Sequence, residues 1–323
     1  MTELVAVDIG GTNARFAIAE VADGRVVKLG PETVFETARH ASFQLAWQAF
    51  AESAGRALPR AAAIAIASPI GGEVLKMTNN PWIIRPALIP SKLEVDSYTL
   101  VNDFGAVGHA VGQAGPEHFR HLCGPDEPLP DAGAVTVVGP GTGLGVASIL
   151  RRGGHDLVSE TEGGHIDFAP LDSLEDAILA HLRQQYRRVS VERIVSGPGL
   201  VNIYTALAAR DGRAVEHRDD KSLWKAAMTG SDGLAAAALD RFCLCFGAVA
   251  GDLALAHGAK GVVIAGGLGL RLADHLPRSG FGEQFVAKGR FEGMMSRIPV
   301  KLITHPQPGL LGAAAAYAEE HRV

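Results

Sequence analysis

The chain has 323 residues, 47% of them apolar and 20% charged, with a formal net charge of -5. That composition supports a buried core in about two domains and excludes a chain dominated by disorder. A mildly acidic balance argues against a general nucleic-acid binder, and no run approaches ~18 uninterrupted apolar residues, so no membrane span is expected.

Leu4-Val5-Ala6-Val7 is a short run of strand formers. It leads into Asp8-Ile9-Gly10-Gly11-Thr12-Asn13, and Arg15-Phe16-Ala17-Ile18-Ala19 follows at once, which reads as strand, glycine turn, strand. Ahead of it, Glu3 stands where a secretory signal would carry basic residues. Ser42 to Ala57 has a helical pattern, Ala61 to Ala67 is a buried strand, and Tyr98-Thr99-Leu100-Val101 is another. Helices alternating with apolar strands imply an α/β architecture. Ala106 to Val111 reads as a helix. The opening then recurs: Ala134 to Val138, the glycine turn Gly139-Pro140-Gly141-Thr142-Gly143, and a strand from Leu144 to Leu150. The matching strand context points to an internal duplication, with one glycine hairpin per lobe. Asp172 to Tyr186 is helical, and Gly233 to His257 is a largely apolar helix expected in the core. Lys260 to Ala265 is a strand running into Gly266-Gly267-Leu268-Gly269, and an alanine-rich helix closes the chain from Pro308 to about Glu320. No linker or charge block separates the halves, which suggests that they share a cleft. Cys123, Cys243 and Cys245 are odd in number and lack C-x-x-C spacing, so they read as reduced core thiols in a cytoplasmic protein.

Glycine is the outlier in composition, at 39 of 323 residues, about 12% against an average of about 7%. Many glycines suggest tight turns and close backbone approach to a ligand. A glycine turn between strands exposes peptide N–H groups that can converge on phosphate oxygens, and Thr12 or Thr142 can add a hydroxyl. The P-loop pattern is absent, and the Rossmann fingerprint opens a helix where this chain has a strand. Asp8, at a strand end beside the first turn, suits a Mg2+ site directly or through water; a solvated turn aspartate is the structural alternative. Asp103, after the strand Thr99 to Val101, sits where α/β sheets place their chemistry, and it could take a proton from a hydroxyl while Asn102 orients the acceptor. Its alternative is a helix N-cap, and both roles can coexist. Ser159-Glu160-Thr161-Glu162-Gly163-Gly164-His165-Ile166-Asp167 is a polar cluster punctuated by two glycines, and its glutamate, histidine and glycine backbone could hydrogen-bond several sugar hydroxyls. A helical metal pair of Glu162 and His165 is disfavoured by the two glycines, and a ligand-free polar turn is the further alternative. Glu192 by itself reads equally well as an exposed helical glutamate.

Six segments in order carry a resemblance: Asp8 to Arg15, Asn102-Asp103-Phe104, Gly139 to Gly145, Glu162 to Pro170, Ser196 to Asn202, and Ala265-Gly266-Gly267. Together they make the chain resemble the bacterial glucokinases of the actin, hexokinase and sugar-kinase fold, from end to end, including Pro308-Gly309-Leu310-Leu311-Gly312. The resemblance implies a two-lobed α/β fold with a ligand cleft between lobes. The small lobe would be residues 1–113 with 305–323, and the large lobe residues 114–304, with the final helix returning to the first lobe. It implies a cytoplasmic homodimer that phosphorylates D-glucose at its 6-hydroxyl with ATP and Mg2+, the first step of intracellular glucose catabolism. By the same resemblance Gly10, Gly11, Thr12 and Asn13, with Gly141, Thr142 and Gly143, hold the phosphates; Asp8 holds Mg2+; and Gly266 and Gly267 lie near the adenosine. Asn79, Asn102, Asp103, Glu162, His165 and Glu192 contact glucose, with Asp103 as catalytic base. The related repressor and open-reading-frame kinases carry a cysteine-rich zinc motif after the sugar histidine. Nothing after His165 supplies one here, so no structural zinc is expected. Another hexose, an acylated amino sugar or a polyphosphate donor are the alternatives among enzymes. A sugar-sensing regulator would need a DNA-binding segment before Asp8, and an Hsp70-like or actin-like ATPase would not need the Glu162–His165 cluster.

Overall fold

The computed structural model describes residues 1–77, 80–215 and 220–321. The chain divides into two compact units: Met1–Glu117 with Val158–Glu160 and His305–Val323, and His118–Leu157 with Thr161–Thr304.

The first unit is built on a sheet of β1 (Thr2–Ile9), β2 (Asn13–Ala22), β3 (Arg25–Leu29), β4 (Thr33–Glu36), β5 (Ala61–Ile66) and β8 (Ser97–Asn102). Between β5 and β8 a separate two-stranded ribbon pairs β6 (Leu75–Lys76) with β7 (Ile83–Ile84). The main sheet runs β3-β2-β1-β5-β8, with β4 alongside β2. β1 and β2 are antiparallel, while β1, β5 and β8 are parallel. Residues along a strand alternate faces. Val5, Val7 and Ile9 therefore face one core, with Phe43, Trp47 and Phe50 of α1 (Phe43–Ala54). The side chain of Ser42 caps α1, and Gly55, in the left-handed conformation, ends it. α2 (Ile89–Leu93) gives Ile89 and Leu93 to the same core. Leu4 and Ala6 face the opposite core, which includes Ala106 of α3 (Asp103–Gln113).

The second unit repeats the topology. Its sheet comprises β9 (Phe119–Cys123), β10 (Gly133–Pro140), β11 (Leu144–Arg152), β12 (His155–Thr161), β13 (Ala259–Ile264) and β14 (Val300–Ile303), in the order β12-β11-β10-β13-β14-β9. β10 and β11 form the antiparallel hairpin, and β10, β13 and β14 are parallel. The sheet thus has the β2-β1-β5-β8 order of the first, which carries the duplication read from the glycine turns into backbone pairing. Its helices are α4 (Ser173–Leu182), α5 (Gly197–Arg210), α6 (Asp220–Thr229), α7 (Gly233–His257), α8 (Gly266–Arg271), α9 (Phe281–Val286) and α10 (Glu292–Met295). The α4 helix stops at Leu182, four residues before the expected Tyr186. α7 is long and apolar enough to cross a membrane, yet 67% of its most apolar window is buried within the protein. Its side chains Phe242, Cys243, Cys245 and Phe246 lie in the core of this unit, which explains the apolarity. Cys243 and Cys245 are buried free thiols, and burial pushes Cys243 up to about 12.

The last helix, α11 (Pro308–His321), belongs to the first unit and fills the core shared with Leu4, Ala6 and Ala106. It crosses α3 so closely that a Cβ at Gly312 would overlap the carbonyl of Ala106.

Candidate active site

Strand parity and register build the first half of the site. Asp8 shares the face of Leu4 and Ala6, so its carboxylate points to the α3 and α11 side, where a Cβ at Gly309 would overlap it. Asp8 pairs with Ala65 of β5, and Ile66 pairs with Asn102 of β8. Asp8 and Asn102–Asp103 therefore end strands two places apart on the same C-terminal edge, about 10 Å by strand spacing. Burial raises the Asp8 carboxyl above the usual range, and Glu32 adds to this, while Arg15, at 3.6 Å from its cross-strand neighbour, pulls it down. Burial also raises Asp103, to about 6; the Asp8 charge adds to the rise and the Phe104 N–H opposes it.

Asn102, not Asp103, is the N-cap of α3. Its Oδ1 accepts the N–H groups of Phe104 at 2.8 Å and Gly105 at 3.3 Å, while Asp103 occupies the first helical position and takes Phe104 N–H at 2.9 Å. The Asn102 amide group donates to the Ser68 carbonyl at 3.4 Å. Asn102 thus fixes the turn that carries Asp103.

The Gly10–Asn13 turn is held from its carbonyl side. Thr37 Oγ1 donates to the carbonyls of Gly11 and Thr12 at 3.0 and 3.1 Å, and Asn80 Nδ2 donates to that of Gly10 at 3.0 Å. Thr37 is 2% exposed and Asn80 7%. A trans peptide points its N–H opposite to its carbonyl, so the N–H groups of Gly11, Thr12 and Asn13 face away from the clamp. Sequence reading missed Thr37 and Asn80; a threonine or asparagine in a loop gives no sign of a carbonyl partner distant in sequence. Asn79, proposed as a sugar ligand, lies outside the described residues.

In the second unit, Gly141 N–H bonds the Gly143 carbonyl at 2.8 Å, and the Gly141 carbonyl accepts the N–H of Gly197 at 2.7 Å. Thr142 lies between them at the tip. Glu192 is half-buried, and its Oε2 accepts the Leu144 N–H at 2.9 Å. It therefore braces the hairpin and is not a free helical side chain. Gly266, with φ 81°, lies against Pro140, where a Cβ would come 3.0 Å from the carbonyl. Gly266 and Gly267 open α8 beside the second hairpin. Gly163–His165 form one turn of 3-10 helix, where the two glycines had argued against any helix. The glycines serve close packing: a Cβ at Gly164 would overlap the Leu144 carbonyl, and one at Gly163 would crowd Val146. The turn leaves Glu162 and His165 exposed, 4.0 Å apart. The second unit thus gathers Gly141–Gly143, Gly266–Gly267, Glu192, Glu162 and His165 around the start of β11.

A model of the family described as Glucokinase matches residues 4–320. A glucokinase of Zymomonas mobilis subsp. mobilis is 65% identical over 319 residues, covering 99% of this chain and 98% of its own. One of Caulobacter vibrioides is 40% identical over 98% of this chain and 95% of its own. The crystal structure of a glucokinase from an Antarctic psychrotroph superimposes with a TM-score of 0.86 at 32% identity, covering 98% of each chain. Fold, site and relatives together define a sugar kinase of the hexokinase type. Within that class the chain belongs to the glucokinase family.

Proposed function

We propose that the chain transfers the terminal phosphoryl group of ATP to the 6-hydroxyl of D-glucose, the activity of its family, with Asp103 as general base. The observation that carries the mechanism is the seat of Asp103: the end of a parallel strand, fixed by the Asn102 cap, with a carboxyl raised to about 6. A base with that proton affinity is ionised at neutral pH yet basic enough to take the hydroxyl proton as the bond to phosphorus forms. Phosphoryl transfer otherwise needs positioning and neutralised charge. The N–H groups of Gly11, Thr12 and Asn13 are proposed to bind the phosphates, with the second turn at Gly141, Thr142 and Gly143, where the Gly141 N–H closes the turn on the Gly143 carbonyl and leaves Thr142 and Gly143 to face the ligand. Gly10 gives its turn the room to approach a phosphate, and Gly266 and Gly267 are placed near the adenosine. Asn79, Asn102, Glu162, His165 and Glu192 are the proposed sugar ligands.

Among the described residues no three His, Cys, Asp or Glu side chains form a metal cluster. One carboxylate at Asp8 fits Mg2+, which keeps several waters and takes its remaining ligands from substrate phosphates. When bound, Mg2+ would neutralise charge building on the transferred group. A cytoplasmic homodimer completes the reading, supported by the family resemblance.

A coupled assay for glucose 6-phosphate tests it, with MgATP and polyphosphate as donors and glucose, mannose, fructose and N-acetyl sugars as acceptors. MgATP with glucose should give the highest kcat/KM. A clear preference for another pair would overturn the assignment.

A further inference from the structure

Glu160, near the end of β12, lies in the polar Ser159–Asp167 segment but has no part in the proposed reaction. Its Oε1 accepts the backbone N–H of Asn102 at 2.8 Å. Residues 158–160 belong to the compact unit that holds Asp103. In a capping box, the residue at the third helical position reaches back to the N–H of the N-cap residue, normally through Glu or Gln. In α3 the third position is Gly105, which has no side chain to do this. A Cβ there would overlap the Glu160 carboxylate. Glycine inside a helix costs roughly 1 kcal/mol relative to alanine. Here it makes room for an acceptor arriving from another strand.

We propose that Glu160 is a positioning residue for the catalytic base: it completes the cap of α3 from outside the helix and so fixes the peptide that carries Asp103. The proposal rests on the reading of Asp103 as base. The Asn102 side chain holds the helix side of the turn, and Glu160 holds the N–H on the strand side. Asp103 is thereby gripped at both ends of the strand-to-helix bend. Among the described residues the charged groups bearing on Asp103 are Asp8 on β1, which is paired with Arg15 on β2, and Glu160 itself; from α11, Gly309 lies beside Asp8. Glu160 therefore also contributes a negative charge that favours the protonated form of Asp103.

Glu160→Ala, Glu160→Gln and Gly105→Ala, each checked for folding by circular dichroism, test this beside Asp103→Asn. Glu160→Ala should lower kcat about tenfold with KM for ATP unchanged, the scale of loss expected when a reacting group is displaced by a fraction of an ångström. Glu160→Gln keeps an oxygen for the Asn102 N–H and should recover most of that loss. Both remove the charge, so both should move the acid limb of kcat/KM to lower pH. Gly105→Ala should lower kcat in the wild-type background and do little further in Glu160→Ala, because the two changes break the same contact. Wild-type kcat and an unmoved acid limb in Glu160→Ala would overturn the proposal. So would equal kcat losses in Glu160→Ala and Glu160→Gln with the limb unmoved. If Asp103→Asn is inactive while Glu160→Ala behaves as wild type, Glu160 alone is removed; an active Asp103→Asn removes the base, and the positioning role with it.

Discussion

Asp103 is held in a conflict between burial and charge, and that conflict has two measurable consequences. Its carboxyl is raised from 3.8 to about 6 in the folded protein, mainly by burial. A raised carboxyl contributes its stability below the unfolded value near 3.8 and loses it as pH rises through about 6. At pH 7.5 the ionised Asp103 therefore works against folding. Asp103→Asn should raise the unfolding free energy by ~1–3 kcal/mol at that pH, and by little at pH 4. Urea unfolding at both values checks this; a variant less stable than wild type at pH 7.5 would contradict it. The same variant should lose ~10²–10⁴ of kcat if general-base catalysis has its usual size. In the wild type, kcat/KM should fall as pH drops through about 6, since Asp103 must be ionised to accept a proton. A profile flat to pH 4.5 would place the base elsewhere.

At the scale of elements, the first hairpin is clamped from its carbonyl side and α3 packs closely on α11. Thr37 and Asn80 tie three successive carbonyls of the first turn. Thr37→Val would strip the hydroxyl donor from the Gly11 carbonyl, while the Thr12 carbonyl keeps the Thr37 backbone N–H at 2.9 Å, a cost of ~1–3 kcal/mol. The turn should loosen, raising KM for ATP about tenfold while KM for glucose changes less; steady-state kinetics in both substrates check this. The reverse pattern would mean that the turn does not bind the nucleotide. Gly312 on α11 meets the Ala106 carbonyl of α3. Gly312→Ala should force the helices apart and destabilise the protein by ~1–3 kcal/mol, seen as a lower Tm. The strands β1, β2, β5, β8, β10, β11 and β13 and both glycine hairpins were legible in the sequence because apolar runs and glycine punctuation are local signals, whereas the more polar β3, β4, β9 and β12 and the short β6, β7 and β14 gave no such signal. The start of α1 was legible near Ser42, but the helix ends at Ala54 with Gly55 as its cap, three residues before the expected Ala57. The 3-10 turn at Gly163–His165 was not, since its glycines answer to β11 packing beneath them and not to their own propensity. Nor was the division of labour between Asn102 and Asp103, which turns on a single backbone torsion at the cap.

The whole molecule reads as one design used twice. Each unit pairs a glycine-turned hairpin with parallel strands, whose C-terminal ends carry Asp8 and Asp103 in one unit and lead into Gly266 in the other. The repeat was visible in sequence through Gly11-Thr12 and Gly141-Thr142, but only the strand order shows that both hairpins seed the same topology. The partners of the site escaped the sequence because they are tertiary. Glu192 bonds Leu144, and Glu160 bonds Asn102, each across a long stretch of chain. The most direct measurement of the central claim is a crystal structure with glucose and a non-hydrolysable MgATP analogue bound together. The Asp103 carboxylate should lie ~2.6–3.2 Å from the glucose 6-hydroxyl, with the triphosphate on the Gly11, Thr12 and Asn13 N–H groups. A carboxylate turned to another hydroxyl, or a triphosphate bound away from that turn, would contradict it.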